Sequence, residues 1–270
     1  MHRPRRRFGQ HFLHDESVLE RMVECIAPAP DDNVIEVGPG EGALTDHLLP
    51  RLNRLTAIEI DRDLAARLRA ANQGAAESGT SKLTLIEADV LRLDWSQLLA
   101  GTANWRLVGN LPYNISTPFL GRIQPWAAQI RDAHFLLQKE VVDRLSAVPG
   151  TKGWGRLTVM IQYRFEVESL FHVAPGAFRP PPKVHSAFVR LVPRIKTLPL
   201  RDPAVFAAVV ATAFQQRRKT LRNALKSFAI DWQAVSVDEE LRPDQVDVSG
   251  YAALANMVAG SADIAGSADD

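Results

Sequence analysis

Val34-Ile35-Glu36-Val37-Gly38-Pro39-Gly40-Glu41-Gly42 decides the fold. Val34–Val37 is a short apolar run and reads as a buried strand. Gly38 to Gly42 reads as a tight turn, because alternate glycines let the backbone bend sharply and approach a ligand closely. Ala43–Leu49 then opens a helix. The same alternation continues downstream. Strands are expected at Leu55–Ile60, Leu83–Ile86, Trp105–Val108 and Ala133–Leu137. Helices are expected at Asp63–Ala71, residues 95–100, Ser116–Trp126 and Val141–Ala147, with a surface loop over 73–82. Strand and helix patterns at this spacing imply a mostly parallel sheet covered on both faces.

Upstream, residues 1–14 read as a basic arm. Asp15 is a candidate N-cap, and Val18, Leu19, Met22, Val23 and Ile26 form a helical apolar stripe that Pro28 and Pro30 stop. Downstream, Gly150–Gly155 reads as a flexible loop and 157–164 as a helix. Val167–Val173 and Val184–Val192 are expected to finish a seven-stranded sheet as antiparallel strands. Phe178-Arg179-Pro180-Pro181-Pro182-Lys183 between them is stiff and extended. Pro193 and Pro199 mark a boundary, and 203–260 carries only helical patterns. The expected organisation is an arm over 1–14, an α/β domain over 15–195, a helical domain over 200–260 and a disordered tail over 261–270.

The 270 residues are 46% hydrophobic and 23% charged, enough for one large core and a second small domain. No apolar run reaches the roughly 18 residues of a membrane helix. Met-His-Arg-Pro-Arg-Arg-Arg has no apolar segment after it and does not read as a secretory signal. The single cysteine, Cys25, excludes a disulfide framework, fits a reducing cytosol and reads as a core residue. Net charge is +1, so the overall balance does not announce nucleic acid. The basic residues are concentrated, however, at 3–7 and 217–226. The seven histidines lack metal-ligand spacing apart from a weak His11/His14 pair, so no metal is expected.

Chemistry gathers at the expected strand ends. Glu59 ends the second strand about 20 residues after the glycine turn, where an acid typically bonds ribose hydroxyls. Asp89 ends the third, where a carboxylate can accept from an adenine amino group. Three acids (Glu36, Glu59, Asp89) and three glycines at successive ends point to an adenosyl ligand, either NAD or S-adenosylmethionine. Asn110-Leu111-Pro112-Tyr113 follows the fourth strand. An aromatic amine is a poor nucleophile because its lone pair is delocalised into the ring. Two acceptors on its N–H groups favour a pyramidal nitrogen. The Asn110 side-chain oxygen and the Pro112 carbonyl suit that role, and Tyr113 can stack on a base lifted from its helix.

Glu36-x-Gly-Pro-Gly-x-Gly42 and Asn110–Tyr113 resemble the amino-directed, S-adenosylmethionine-dependent methyltransferases of Rossmann-like fold. Four further stretches resemble the small-subunit ribosomal RNA adenine dimethyltransferases. They are Phe8–Asp15, Asn110–Phe119, Phe178–Ser186 and Phe214–Asn223. The resemblance implies dimethylation of the N6 amines of two adjacent adenosines in a hairpin loop near the 3′ end of 16S rRNA. The setting would be the assembling small subunit, with a cytoplasmic monomer as catalyst. It further implies donor contacts from His11 and Leu13, with Gly38, Gly40 and their neighbours holding the methionine part. Glu59 would take the ribose and Asp89 the adenine, and Asn110 would touch both donor and amine. His11 departs from an asparagine common in the family, and His185 stands where an acid is common.

Arg218, Arg222 and Lys226 are four apart and, with Arg217, read as a basic helix face for RNA phosphates. Phe178 reads equally as a second wall of the base pocket or as core. Three rivals remain: a large-subunit rRNA adenine dimethyltransferase conferring antibiotic resistance, a non-catalytic RNA- or DNA-binding factor of the same fold, and an NAD-dependent dehydrogenase. The intact glycines and Asn110 argue against the non-catalytic factor. The Asn-Ile-Ser continuation and the mild charge argue against the large-subunit enzyme.

Overall fold

Asp15 caps the first helix as expected. Its carboxylate accepts from the Ser17 and Val18 N–H groups, and Leu19, Met22, Val23 and Ile26 bury one face of the helix. Full burial of each such side chain contributes about 1.5–3 kcal/mol. The computed structural model describes residues 9–101, 103–196 and 198–266. The basic run at 3–7 and the last four residues of the expected tail lie outside them.

In chain order, β1 is Phe12–Leu13 and α1 Glu16–Ile26. The sheet strands β2 Asn33–Val37, β3 Leu55–Glu59, β4 Leu83–Glu87, β5 Trp105–Asn110 and β6 Ile130–Gln138 follow. Between and after them lie α2 Ala43–Leu48, α3 Arg62–Ala71, α4 Gln73–Glu77, α5 Trp95–Leu98, α6 Tyr113–Ile123 and α7 Lys139–Leu145. Then come α8 Arg156–Arg164, β7 Phe165–Val173, β8 Phe178–Arg179, β9 Ser186–Pro193, α9 Pro203–Gln215, α10 Leu221–Ala224 and α11 Val248–Gly266.

Seven strands form one sheet in the order β4-β3-β2-β5-β6-β9-β7. The pairs β4–β3, β3–β2, β2–β5 and β5–β6 are parallel, and β9 runs antiparallel to β6. The expected α/β sheet is therefore present. Its N-terminal edge is tied to α1 by Arg106, only 3% exposed. That guanidinium donates to both oxygens of Asp132 at 2.9 Å, to Asp32 at 2.8 Å and to the Ile26 and Ala27 carbonyls. Such a fork suits two carboxylates and a helix C-terminus at once. The opposite edge of the sheet is left for the site.

The chain divides into two compact units. One holds Met1–Val142 and Glu166–Pro193, the other Asp143–Phe165 and Arg194–Asp270. Residues 143–165, expected within the α/β domain, thus group with the C-terminal helices. The reason is apolar: Trp154, Val159 and Tyr163 bury in one cluster with Phe206, Val209, Val210, Leu221 and Tyr251. The Trp154 indole N–H also donates to the Val246 carbonyl at 2.9 Å. Two local expectations fail. Residues 73–77 form the short helix α4 rather than loop, and α11 continues to Gly266 through the start of the expected tail. Small residues such as Ala262 and Ala265 carry helix propensity that their lack of apolar bulk concealed.

Candidate active site

A cleft with about 1070 Å³ of empty space, counted out to its open mouth, lies at the C-terminal ends of β2, β3, β4 and β5. Its lining includes His11, Leu13, Gly38, Gly40, Glu59, Asp89, Asn110, Pro112 and Tyr113. Every residue expected to touch donor or amine is therefore gathered in one place. This is the edge at which open α/β sheets bind ligands, because each strand end there delivers a loop.

The glycine turn runs at positive φ, +62° at Gly40. A Cβ at Gly40 would stand 3.1 Å from the Phe12 ring. The Gly40 N–H donates to one Glu59 oxygen at 3.1 Å, and the Asp61 N–H to the other at 2.9 Å. Burial pushes the Glu59 carboxyl up, while these backbone donors oppose the rise. A carboxylate has about four lone-pair sites, so two remain for ligand hydroxyls. Glu36 is fully buried, and Thr45 Oγ1 donates to it at 2.7 Å. Burial pushes its carboxyl up to about 8 against that bond, with Asp46 and Glu59 adding to the rise. Burial thus favours the protonated, uncharged form of this carboxyl behind the turn. Asp89 is less buried, and its Oδ1 accepts from the Leu91 N–H at 2.9 Å.

A strap crosses this edge. β1 pairs antiparallel with β8, setting Phe12 opposite Arg179 and Leu13 opposite Phe178. Gln10 donates from Nε2 to Asp61 at 3.2 Å. His11 Nδ1 lies 2.7 Å from the Pro180 carbonyl, which can only accept, so that nitrogen carries the proton. The Asn110 Nδ2 donates to the His11 carbonyl at 2.9 Å. That bond fixes the amide's orientation, and its oxygen is the atom that can accept. Tyr113 stands beside it, its ring stacked on the His11 imidazole at 5.5 Å and 30°. Its hydroxyl is 2.7 Å from Ser186 Oγ.

Three expectations need correction. The Pro112 carbonyl already accepts from the Ile115 N–H and from Ser116 Oγ, both at 3.1 Å. Pro112 is the N-cap of α6, so its carbonyl is turned to the first helical turn and is not free for an amine. Phe178 is 2% exposed and packs with Leu13, Leu19 and Phe188 in the core. Of its two readings, core is the one the structure takes, and it does not line the cleft. The basic stripe is not one helix. α9 ends at Gln215, Arg217–Lys219 form a turn, and Arg222 lies on the separate α10. Arg217 pairs with Asp244 and donates to the Thr151 and Lys152 carbonyls, clasping that loop. Arg222 pairs with Glu239. Arg218, Lys219 and Lys226 are exposed and form no ion pair among the described residues.

Four participants escaped the sequence reading. Ser186, Gln10 and Thr45 are polar residues whose partners lie far off in the chain or across a turn. Gly109 lets β5 approach the Val37 carbonyl so closely that a Cβ there would meet it at 2.4 Å. Only Gly109, a glycine directly after the expected strand Trp105–Val108 and inside β5 in the structure, marks a close backbone approach. Cys25 is half-buried and packs against the core, as its place on the helix suggested. Among the described residues, no helix is long and apolar enough to cross a membrane.

The family model described as "Ribosomal RNA adenine dimethylase" matches residues 1–257. The chain is 48% identical over 261 residues to ribosomal RNA small subunit methyltransferase A of Pseudomonas fluorescens, covering 96% of this chain and 95% of that protein. It is 50% identical over 261 residues to the protein of the same name from Bordetella pertussis, with 95% of each covered. Among solved structures, a dimethyladenosine transferase from Plasmodium falciparum superposes with a TM-score of 0.73 at 21% identity, over 90% of this chain and 96% of that one, a likeness of fold. The 23S rRNA methyltransferase ErmE gives 0.69 at 28% identity, over 92% of this chain and 99% of that one.

Proposed function

The chain belongs to the ribosomal RNA adenine dimethylase family, and from that we propose that it dimethylates adenosine in small-subunit ribosomal RNA. The donor is S-adenosylmethionine, and the targets are the N6 amines of two adjacent adenosines in a hairpin loop near the 3′ end of 16S rRNA. The setting is the assembling small subunit, and the enzyme works as a cytoplasmic monomer.

The observation that carries this reading is the tether on Asn110. The amide is fastened through its nitrogen to the His11 carbonyl, beside a glycine turn and a ribose-competent acid. The residues present fit the donor. Gly40 supplies the close backbone approach, Glu59 keeps two acceptor sites for ribose hydroxyls, and Asp89 offers a carboxylate to an adenine amine. When bound, the donor supplies an electrophilic methyl group on a sulfonium. The chain's own task is positioning and polarisation. The Asn110 oxygen accepts an amine N–H and draws the nitrogen lone pair out of conjugation. Tyr113 offers its ring to the extruded base. No strong base is required, since the amine proton becomes acidic once the methyl has transferred.

Arg218 and Lys226 remain candidates for RNA phosphates, joined by the exposed Lys219, with Arg217 and Arg222 engaged within the protein. Identity near 48% to small-subunit enzymes, against 28% to a large-subunit one, favours the small subunit. The test is methylation of undermethylated small subunits with labelled donor, alongside naked 16S and 23S rRNA. Dimethyladenosine at two adjacent 16S positions is expected. Label confined to 23S rRNA, or none at all, would overturn the reading.

A further inference from the structure

We propose that Ser186 is a positioning residue: it holds the Tyr113 hydroxyl and so sets the plane on which the target base stacks. This rests on the base-methylating reading above.

Ser186 opens β9, opposite Gln138 of β6. It is fully buried, with 0% of its surface exposed. A buried hydroxyl is costly unless it is bonded, and Ser186 Oγ has the Tyr113 hydroxyl 2.7 Å away. Tyr113 is the first residue of α6, entered through Pro112 at φ −54° and ψ 134°. Its backbone is therefore set by the turn that follows Asn110. The ring keeps two torsions, and a bond at its tip removes freedom from both.

One face of the same ring is covered by His11, which the Pro180 carbonyl fixes, leaving the other face for a base. The segment from Phe178 to Ser186 thus reaches Tyr113 twice, at its tip through Ser186 and at its face through Pro180 and His11. Pro180 is one anchor, and Pro181 and Pro182 follow it on the way to the other. Their fixed φ keeps the spacing between anchors from varying. That gives the proline-rich stretch a task that the buried Phe178 does not explain. Stacking strength depends on ring orientation, and the stack is what holds an extruded base within reach of Asn110.

The experiment compares wild type, Ser186→Ala, Tyr113→Phe and the double variant on undermethylated small subunits, with donor affinity measured by calorimetry. Each single variant is expected to lose about three- to tenfold in kcat/KM for the subunit, mostly through KM. Donor affinity should stay within about twofold. The double variant should be no worse than the poorer single, because both remove one bond. Wild-type kcat/KM in either single variant, or losses that multiply in the double, would overturn the proposal. If Ser186→Ala does not fold, Tyr113→Phe alone still decides, since it removes only the hydroxyl from a half-buried ring. A wild-type enzyme that methylates no subunit defeats the functional reading instead, so the two failures are distinct.

Discussion

Replacing Gly109 by alanine puts one methyl group where β5 passes β2. Its Cβ would stand 2.4 Å from the Val37 carbonyl oxygen and 3.3 Å from the carbonyl carbon. Both are backbone atoms in a paired strand, with Glu36 in register with Val108 one step earlier. Neither can swing aside as a side-chain tip would. Ordinary contact begins near 3.4 Å, so the strands must part by about 1 Å, an overpacking that costs about 1–3 kcal/mol. For a chain of this size each kcal/mol lowers Tm by about 2–4 °C. The displacement falls one residue before Asn110, and a misplacement of about 1 Å can cost on the order of 10²-fold in rate. Gly109→Ala is therefore expected to lose about 10²-fold in turnover on undermethylated small subunits, with a Tm lowered by several degrees. Donor affinity, read by calorimetry, should fall much less than turnover. Wild-type turnover at an unchanged Tm would refute the claim that this backbone approach sets the position of Asn110.

Asn110→Ala should abolish methyl transfer, by at least about 10²-fold in kcat, while donor still binds; near-wild-type turnover removes Asn110 from its role. Glu36→Gln copies the neutral form of a carboxyl raised from 4.5 to about 8 in the folded protein. Between those values the folded state holds a proton that the unfolded chain has released, so the contribution of Glu36 to stability is full below pH 4.5 and is lost as pH rises toward 8. The limiting slope is about 1.4 kcal/mol per pH unit. The glutamine variant should flatten that decline in denaturant titrations run from pH 5 to 8, and an unaltered slope would show that Glu36 is charged. Arg218→Glu with Lys226→Glu should weaken RNA binding and make its salt dependence shallower by about one unit for each phosphate no longer neutralised. Arg217→Ala should instead lower thermal stability by loosening residues 151–152, and the reverse pattern would exchange their roles.

How much was legible follows the range of the interactions involved. The central strands β2, β3, β5 and β6 were readable because burial on both faces demands apolar runs. That Glu59, Asp89 and Asn110 would share one cleft was readable because a strand end is a position that chain order alone identifies. The basic stripe was misread, since four-residue spacing assumes one continuous helix and Gln216 ends α9 before Arg217. Phe178 was undecided because a phenylalanine beside prolines suits a pocket wall and a core equally. Its pairing with Leu13, 165 residues away, is what buried it.

Amino-acid order alone thus determined an α/β sheet with a glycine turn and an Asn-Leu-Pro-Tyr loop at its ligand edge. Those features depend on local periodicity, on φ freedom at glycine and proline, and on the chemistry of single side chains. Tertiary structure decided how the loop is armed. The His11 carbonyl of the strap accepts from the Asn110 nitrogen and so orients the amide, and Ser186 bonds the Tyr113 hydroxyl. It also withdrew the Pro112 carbonyl from the site, because the first turn of α6 uses both of its acceptor positions. Which edge of an amide is free depends on what binds the other edge, and that partner lies 99 residues away in the chain.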